Sequence, residues 1–147
     1  MDEATLIQKL RLIEALHAGA ATDGERSAAE HARRRILERL ASFEKADPPI
    51  EHTFTMSDVW SQRLFLALLR RYGLAPYRYK RQRRTTVNTK VSRRFLDETL
   101  WPEFIDLLQT LRAYLSSVTD RVVSNVIHGD TSDASVVDDI PKLPGTP

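Results

Sequence analysis

The chain has 147 residues, 41% apolar and 29% charged, with a formal net charge of +2 and no cysteine. That length suits one domain with a core of its own, the composition argues against wholesale disorder, and the missing thiols exclude disulfides, thiolate metal sites and a cysteine nucleophile. Packing alone must hold such a fold, and a cysteine-free chain fits a reducing, cytoplasmic setting.

The first stretch, MDEATLIQKLRLIEALH, starts acidic and carries Lys9, Arg11 and Glu14 within its apolar pattern, so it reads as neither a signal peptide nor a membrane span. Leu6, Leu10, Ile13 and Leu16 recur at helical spacing, and HAGAATDG ends that helix. Ser27 to Glu30 has capping-box spacing and predicts the start of a second helix, through Ala32, Ile36, Leu37, Leu40 and Phe43 to Asp47-Pro48-Pro49. Two such helices form an antiparallel hairpin over residues 1–47. The run KLRLIEALHAGAATDGERSAAEHARRRILERLA resembles a short two-helix bacterial domain of unknown function, in which a KL-x-LI-x-A-L segment faces a run of small residues. That resemblance implies a hairpin and no activity.

After the prolines, EHTFTM sets His52, Phe54 and Met56 against Glu51, Thr53 and Thr55, the alternation of a half-buried strand. Ser57 is placed to cap a helix ending at Gly73, with Trp60, Leu64, Ala67 and Leu68 as its inner face and Phe65, Leu69 and Tyr72 widening it. Pro76 to Arg81 and Thr85 to Val91 fit the arms of a hairpin turning near Gln82 to Arg84. This register puts Tyr77, Tyr79, Val87 and Val91 on a packed face and Arg78, Lys80, Thr86, Asn88 and Lys90 on a charged one. A long helix then begins between Ser92 and Trp101 and runs to about Ile127 on Phe104, Leu107, Leu108, Leu111, Leu115, Val118, Val122 and Val126, with Pro102 in its first turn or at a kink. The remainder is polar and carries four aspartates, which predicts a mobile acidic tail over 129–147. The expected fold class is α+β: the helical hairpin, then a β-α-β-β-α domain over 50–128 with a small three-stranded antiparallel sheet and a long C-terminal helix.

Charge is segregated along this order. From Val59 to Leu96 there are eleven basic residues and no acid, leaving eleven basic and twenty acidic residues elsewhere. The densest part, RYKRQRRTTVNTK, holds six basic residues in thirteen positions. A cluster on that scale contacts several phosphates and gains affinity by releasing counterions, and arginine's planar fork suits phosphate and base alike. The candidate nucleic-acid-binding residues are Arg78, Lys80, Arg81, Arg83, Arg84 and Lys90, with Arg70 and Arg71 at the edge. Tyr72, Tyr77 and Tyr79 interleave with them as stacking candidates, and Thr85, Thr86, Asn88 and Thr89 offer donors to phosphate or sugar. Arg63 lies in line with Arg70, and Arg33, Arg34 and Arg35 form a second cluster that also suits ion pairs with Glu30 or Glu38.

Catalysis has little to stand on. His17, His31, His52 and His128 lack metal-ligand spacing, no Gly-rich phosphate loop occurs, and Asp97, Glu98 and Glu103 suit a helix start as readily as a metal site. The reading is of a non-enzymatic nucleic-acid-binding protein without a cofactor, favouring RNA over DNA because no helix-turn-helix or zinc finger is visible to read a major groove. The competing reading is an adaptor whose arginines meet an acidic protein partner. Its long helix, with an apolar stripe about 33 Å in length, then completes another bundle, is covered by the N-terminal hairpin, or pairs with a second copy as a homodimer. A further expectation is that the aspartate-bearing tail competes with nucleic acid for the basic face.

Overall fold

The computed structural model describes residues 2–43 and 47–138. It contains two compact units, Met1–Leu108 and Gln109–Pro147.

The first unit opens with helices α1 (Glu3–Ala18) and α2 (Asp23–Ser42), packed together as a hairpin. Asp2 caps α1 by accepting the Thr5 N–H at 2.8 Å. The cap of α2 is Thr22 rather than Ser27. Its hydroxyl accepts the Glu25 N–H at 3.1 Å while the Glu25 carboxylate accepts the Ala21 N–H at 3.0 Å. A Thr-x-x-Glu pattern further upstream therefore outcompetes Ser-x-x-Glu, because it satisfies the orphan donors at the first available turn. Strand β1 (Ile50–Thr55) follows, with Pro48 and Pro49 between it and α2. Side chains of the helical hairpin reach the residues beyond: Arg33 Nη2 donates to the Arg70 carbonyl at 2.8 Å, and Arg71 pairs with Glu14 at 2.8 Å.

Helix α3 (Val59–Arg71) is capped by Asp58, which accepts the Ser61 N–H at 2.7 Å and the Ser61 hydroxyl at 2.8 Å. It ends in a Schellman motif. Gly73 adopts φ +70°, its N–H reaches the Arg70 carbonyl at 3.2 Å, and the Leu74 N–H reaches that of Leu69 at 2.9 Å. The buried stripe is Ser61, Phe65, Leu68, Leu69 and Tyr72, which rotates the inner face away from the expected Trp60 and leaves that indole 51% exposed.

Strand β2 (Thr86–Val91) pairs antiparallel with β1, from Ile50 opposite Val91 to Thr55 opposite Thr86. Among the described residues the sheet has two strands, not three. The expected first hairpin arm contributes one bridge, Tyr77 to Asn88, and then leaves the sheet. This bridge also reverses the predicted faces. Tyr77 sits directly opposite Asn88, so it shares that residue's face and not that of Val87 and Val91, the single-residue slip that exchanges the two sides of any strand.

A short helix α4 (Arg93–Phe95), capped by the Ser92 hydroxyl, runs through a π-helical turn (Leu96–Leu100) into α5 (Trp101–Val122). Pro102 lies second in α5, and the wide turn before it accommodates both its missing N–H and its ring. The core of the first unit gathers Leu6, Leu10, Phe65, Leu69, Val87, Val91, Leu100 and Phe104. Phe54 stacks on Trp101 at 6.0 Å, and Phe65 meets Phe104 edge-on at 5.0 Å.

In the second unit the helix continues through Val122 and ends in a π-helical turn (Val123–Ile127). Residues 129–137 are exposed and belong to no helix or strand, with Asp130 accepting both the N–H and the hydroxyl of Ser132. The last nine positions of the expected acidic tail lie outside the described residues. No helix among the described residues is long and apolar enough to cross a membrane.

Candidate nucleic-acid interface

The segment between the Tyr77 bridge and β2 contains five basic residues and no acid. It is built from the inside by amides. Asn88 has no exposed surface; its Nδ2 donates to the Gln82 side-chain oxygen at 2.6 Å and to the Tyr77 carbonyl at 3.2 Å, and its Oδ1 accepts the Thr53 hydroxyl at 2.8 Å. The Gln82 side chain in turn accepts the Tyr79 N–H at 2.8 Å, while the Gln82 backbone N–H donates to the Tyr79 carbonyl at 3.2 Å. Residues 79–82 thus close a turn around an amide pair. Its third residue, Arg81, takes φ +76°, a position where glycine or asparagine is the usual occupant. A second turn follows, with the Thr86 N–H on the Arg83 carbonyl at 3.0 Å.

Arg78 faces back into this loop. Its Nε donates to the Thr86 carbonyl at 2.8 Å and its Nη2 to the Arg84 carbonyl at 2.6 Å. The same Arg84 carbonyl accepts from the Gln62 side chain on α3, which ties the loop to the first turn of that helix. Arg78 therefore braces the loop, and the outward cations are Lys80, Arg81, Arg83 and Arg84. All four are exposed, and none forms an ion pair with a described residue.

The other expected residues are placed differently. Arg71 belongs to a partly buried ion-pair network: it meets Glu14 and Glu103, and Glu103 also receives Arg11 at 3.0 Å and the Tyr72 hydroxyl. Burial first, and then the bond to Glu103, holds the Tyr72 phenol above its ordinary range. Arg70 is exposed on α3 in line with Arg63. Lys90 is exposed opposite Glu51 and helps hold the Glu51 carboxyl low, after the larger effect of the hydroxyls of Tyr77 and Tyr79, which both donate to one Glu51 oxygen. The same shared bond raises both phenols. Of the three stacking candidates, Tyr72 is buried, Tyr77 is half-buried against Tyr79 with ring centroids 5.6 Å apart, and Tyr79 is 54% exposed. Asn88 and Thr89 are wholly buried, the latter donating to the Ala75 carbonyl at 3.0 Å, so neither reaches a ligand.

Asp97, Glu98 and Glu103 each face an arginine, Arg93 at 3.1 Å, Arg94 at 3.2 Å and Arg71 respectively. Among the described residues no group of three acids or histidines is placed to hold a metal ion.

The cations are legible in the sequence; their scaffold is not. Gln62, Gln82 and Asn88 carry no charge and no periodic signal; the only hint was an asparagine in a strand otherwise rich in threonine and valine. Compared with family models, curated proteins and solved structures, the chain finds no match in any of the three.

Proposed function

We propose that this protein binds nucleic acid, chiefly through the phosphate backbone, with Lys80, Arg81, Arg83 and Arg84 as the contacting residues and Tyr79, Arg63, Arg70 and Lys90 as further exposed candidates. The supporting observation is that these four side chains are exposed on a loop braced from beneath, with no acid among the described residues paired to them. Each phosphate they neutralise releases counterions, and a loop already held in shape loses little further entropy on binding. Arg71 is left out because Glu14 and Glu103 occupy it. RNA is favoured over DNA, the protein is a binder rather than an enzyme, and the lack of cysteine supports a cytoplasmic setting.

The test is fluorescence anisotropy with single- and double-stranded RNA and DNA of equal length over a salt series. It compares the natural chain with a variant carrying alanine at 80, 81, 83 and 84. The log–log salt slope falls by about 0.7 to 0.9 for each phosphate left without its cation, so by about 3 for the variant. Failure of all four probes to bind at low salt sinks the proposal.

A second reading rests on α5. In the second unit Leu111, Leu115, Val118 and Val122 follow a 4-3-4 spacing, Val122 and Tyr114 are exposed, and Arg112 and Arg121 flank the stripe. That pattern suits a partner helix with acidic flanks better than a second copy, whose arginines would face these. Light scattering of the purified protein separates a monomer, which this reading expects, from a homodimer.

A further inference from the structure

Trp60 is a large aromatic that the fold leaves uncovered, 51% exposed at the start of α3 with Val59 exposed beside it. Its surroundings are fixed. Ser61 is buried and bound through both N–H and hydroxyl to the Asp58 cap, Gln62 donates to the Arg84 carbonyl of the basic loop, and the Arg63 guanidinium lies over the indole at 5.8 Å. Four consecutive residues therefore supply a ring, an anchor to the cap, an anchor to the loop and a cation on the ring. The acid at this end of the helix, Asp58, already accepts from Ser57 and Ser61.

We infer that Trp60 and Arg63 form a stacking platform for an unpaired base, and that the site prefers single-stranded nucleic acid; this rests on the proposed binding by the loop. Bases inside a duplex are stacked already, whereas an extruded or single-stranded base offers a free face to an indole, and aromatic stacking tolerates any base. A first turn already fixed by its cap and its tie to the loop sets where the ring emerges, and a guanidinium on the ring adds a phosphate or base contact of the right sign. A protein hot spot would ask for a wider apolar surround, but beyond Val59 the outer face of α3 presents Arg63, Ala67 and Arg70.

The experiment uses the full chain, a twelve-nucleotide oligouridylate, a twelve-nucleotide oligothymidylate and an RNA hairpin duplex, with W60A, W60F and R83A/R84A variants. Single strands quench the Trp60 emission, and W60F removes that signal while Trp101 still reports. W60A weakens single-strand binding about tenfold, within the range of one base stack removed, and leaves duplex affinity within about twofold; W60F weakens it less than W60A. Equal weakening of single strand and duplex by W60A, or no weakening of either, overturns the inference. If R83A/R84A also leaves every probe unaffected, the loop proposal fails too; if R83A/R84A weakens all probes while W60A weakens none, only the platform fails. Absence of quenching by every nucleic acid, with capture of an acidic protein that W60A abolishes, overturns the platform and reassigns Trp60 to a protein contact.

Discussion

Arg78 donates its Nη2 to the carbonyl oxygen of Arg84 at 2.6 Å, so one residue of the basic stretch holds another in place by its backbone. With the Nε bond to Thr86, the planar fork of Arg78 spans two carbonyls that a lysine ammonium cannot reach together. R78K keeps the charge and loses the fork. Both R78K and R78A should therefore weaken nucleic-acid binding to a similar degree and reduce stability by about 1 kcal/mol, the net worth of such exposed charge-assisted bonds. Retention of full affinity by R78K in anisotropy would show that Arg78 acts through charge alone.

Arg81 separates shape from charge in the same loop. Its φ of +76° is one that a Cβ disfavours by about 1 kcal/mol, while glycine adopts it freely. R81G and R81A remove the same charge and differ in that strain, set against the greater freedom glycine has in the unfolded chain. Chemical denaturation should find R81G more stable than R81A by about 0.5 to 1 kcal/mol, and both should lose one phosphate's worth of salt slope, about 0.7 to 0.9. Greater stability in R81A would mean the turn does not need its positive φ.

Why the cations were legible from the sequence and the loop was not follows from the range of each signal. The segregation of charge between Val59 and Leu96 is a property of composition, and helices α1, α3 and α5 declare themselves through apolar spacing and through Gly73. The register of the hairpin arms depends on a single tertiary choice. Asn88 turns inward to bind Gln82 and Thr53, which puts Tyr77 on its face and dissolves the third strand after one bridge. Alternation along the arm is compatible with either register, because tyrosine and arginine alternate there without a strong apolar side. Likewise the rotation of α3 that exposes Trp60 is set by Ser61, a polar residue buried because Asp58 satisfies it.

Asn88 is the joint on which the loop and the sheet edge depend. N88A leaves the Gln82 side-chain oxygen, the Tyr77 carbonyl and the Thr53 hydroxyl each short of a partner around a position with no exposed surface. The cost should be about 2 kcal/mol by urea denaturation, from three lost hydrogen bonds and a small cavity together. Hydrogen exchange of the Tyr77 amide, which bonds the Asn88 carbonyl at 2.9 Å, should quicken more than that of amides in α1. Uniform acceleration across the chain would instead indicate global destabilisation without a local role.

Glu103 gathers Arg11, Arg71 and the Tyr72 hydroxyl while only 9% of its side chain is exposed, which ties α1, α3 and α5 through one carboxylate. E103Q keeps the shape but leaves Arg11 without its carboxylate and Arg71 with Glu14 alone, at a cost of about 2 kcal/mol, less than for a fully buried pair because Arg11 remains half in solvent and Arg71 keeps a partner. The neighbouring phenol gives this network a pH signature. Burial, followed by the bond to Glu103, raises Tyr72 above the value near 10 that an unfolded tyrosine keeps. Its contribution is thus fully present below about pH 10 and is lost as the pH climbs from there toward the folded value, because the unfolded phenol ionises first. Unfolding free energy measured by circular dichroism should stay level through neutral pH and decline above about pH 10. Y72F should decline less steeply over the same interval, since Tyr77 and Tyr79 remain to titrate but the buried phenol is gone. An identical alkaline slope in Y72F would assign the loss to other groups and remove Tyr72 from the network's pH response.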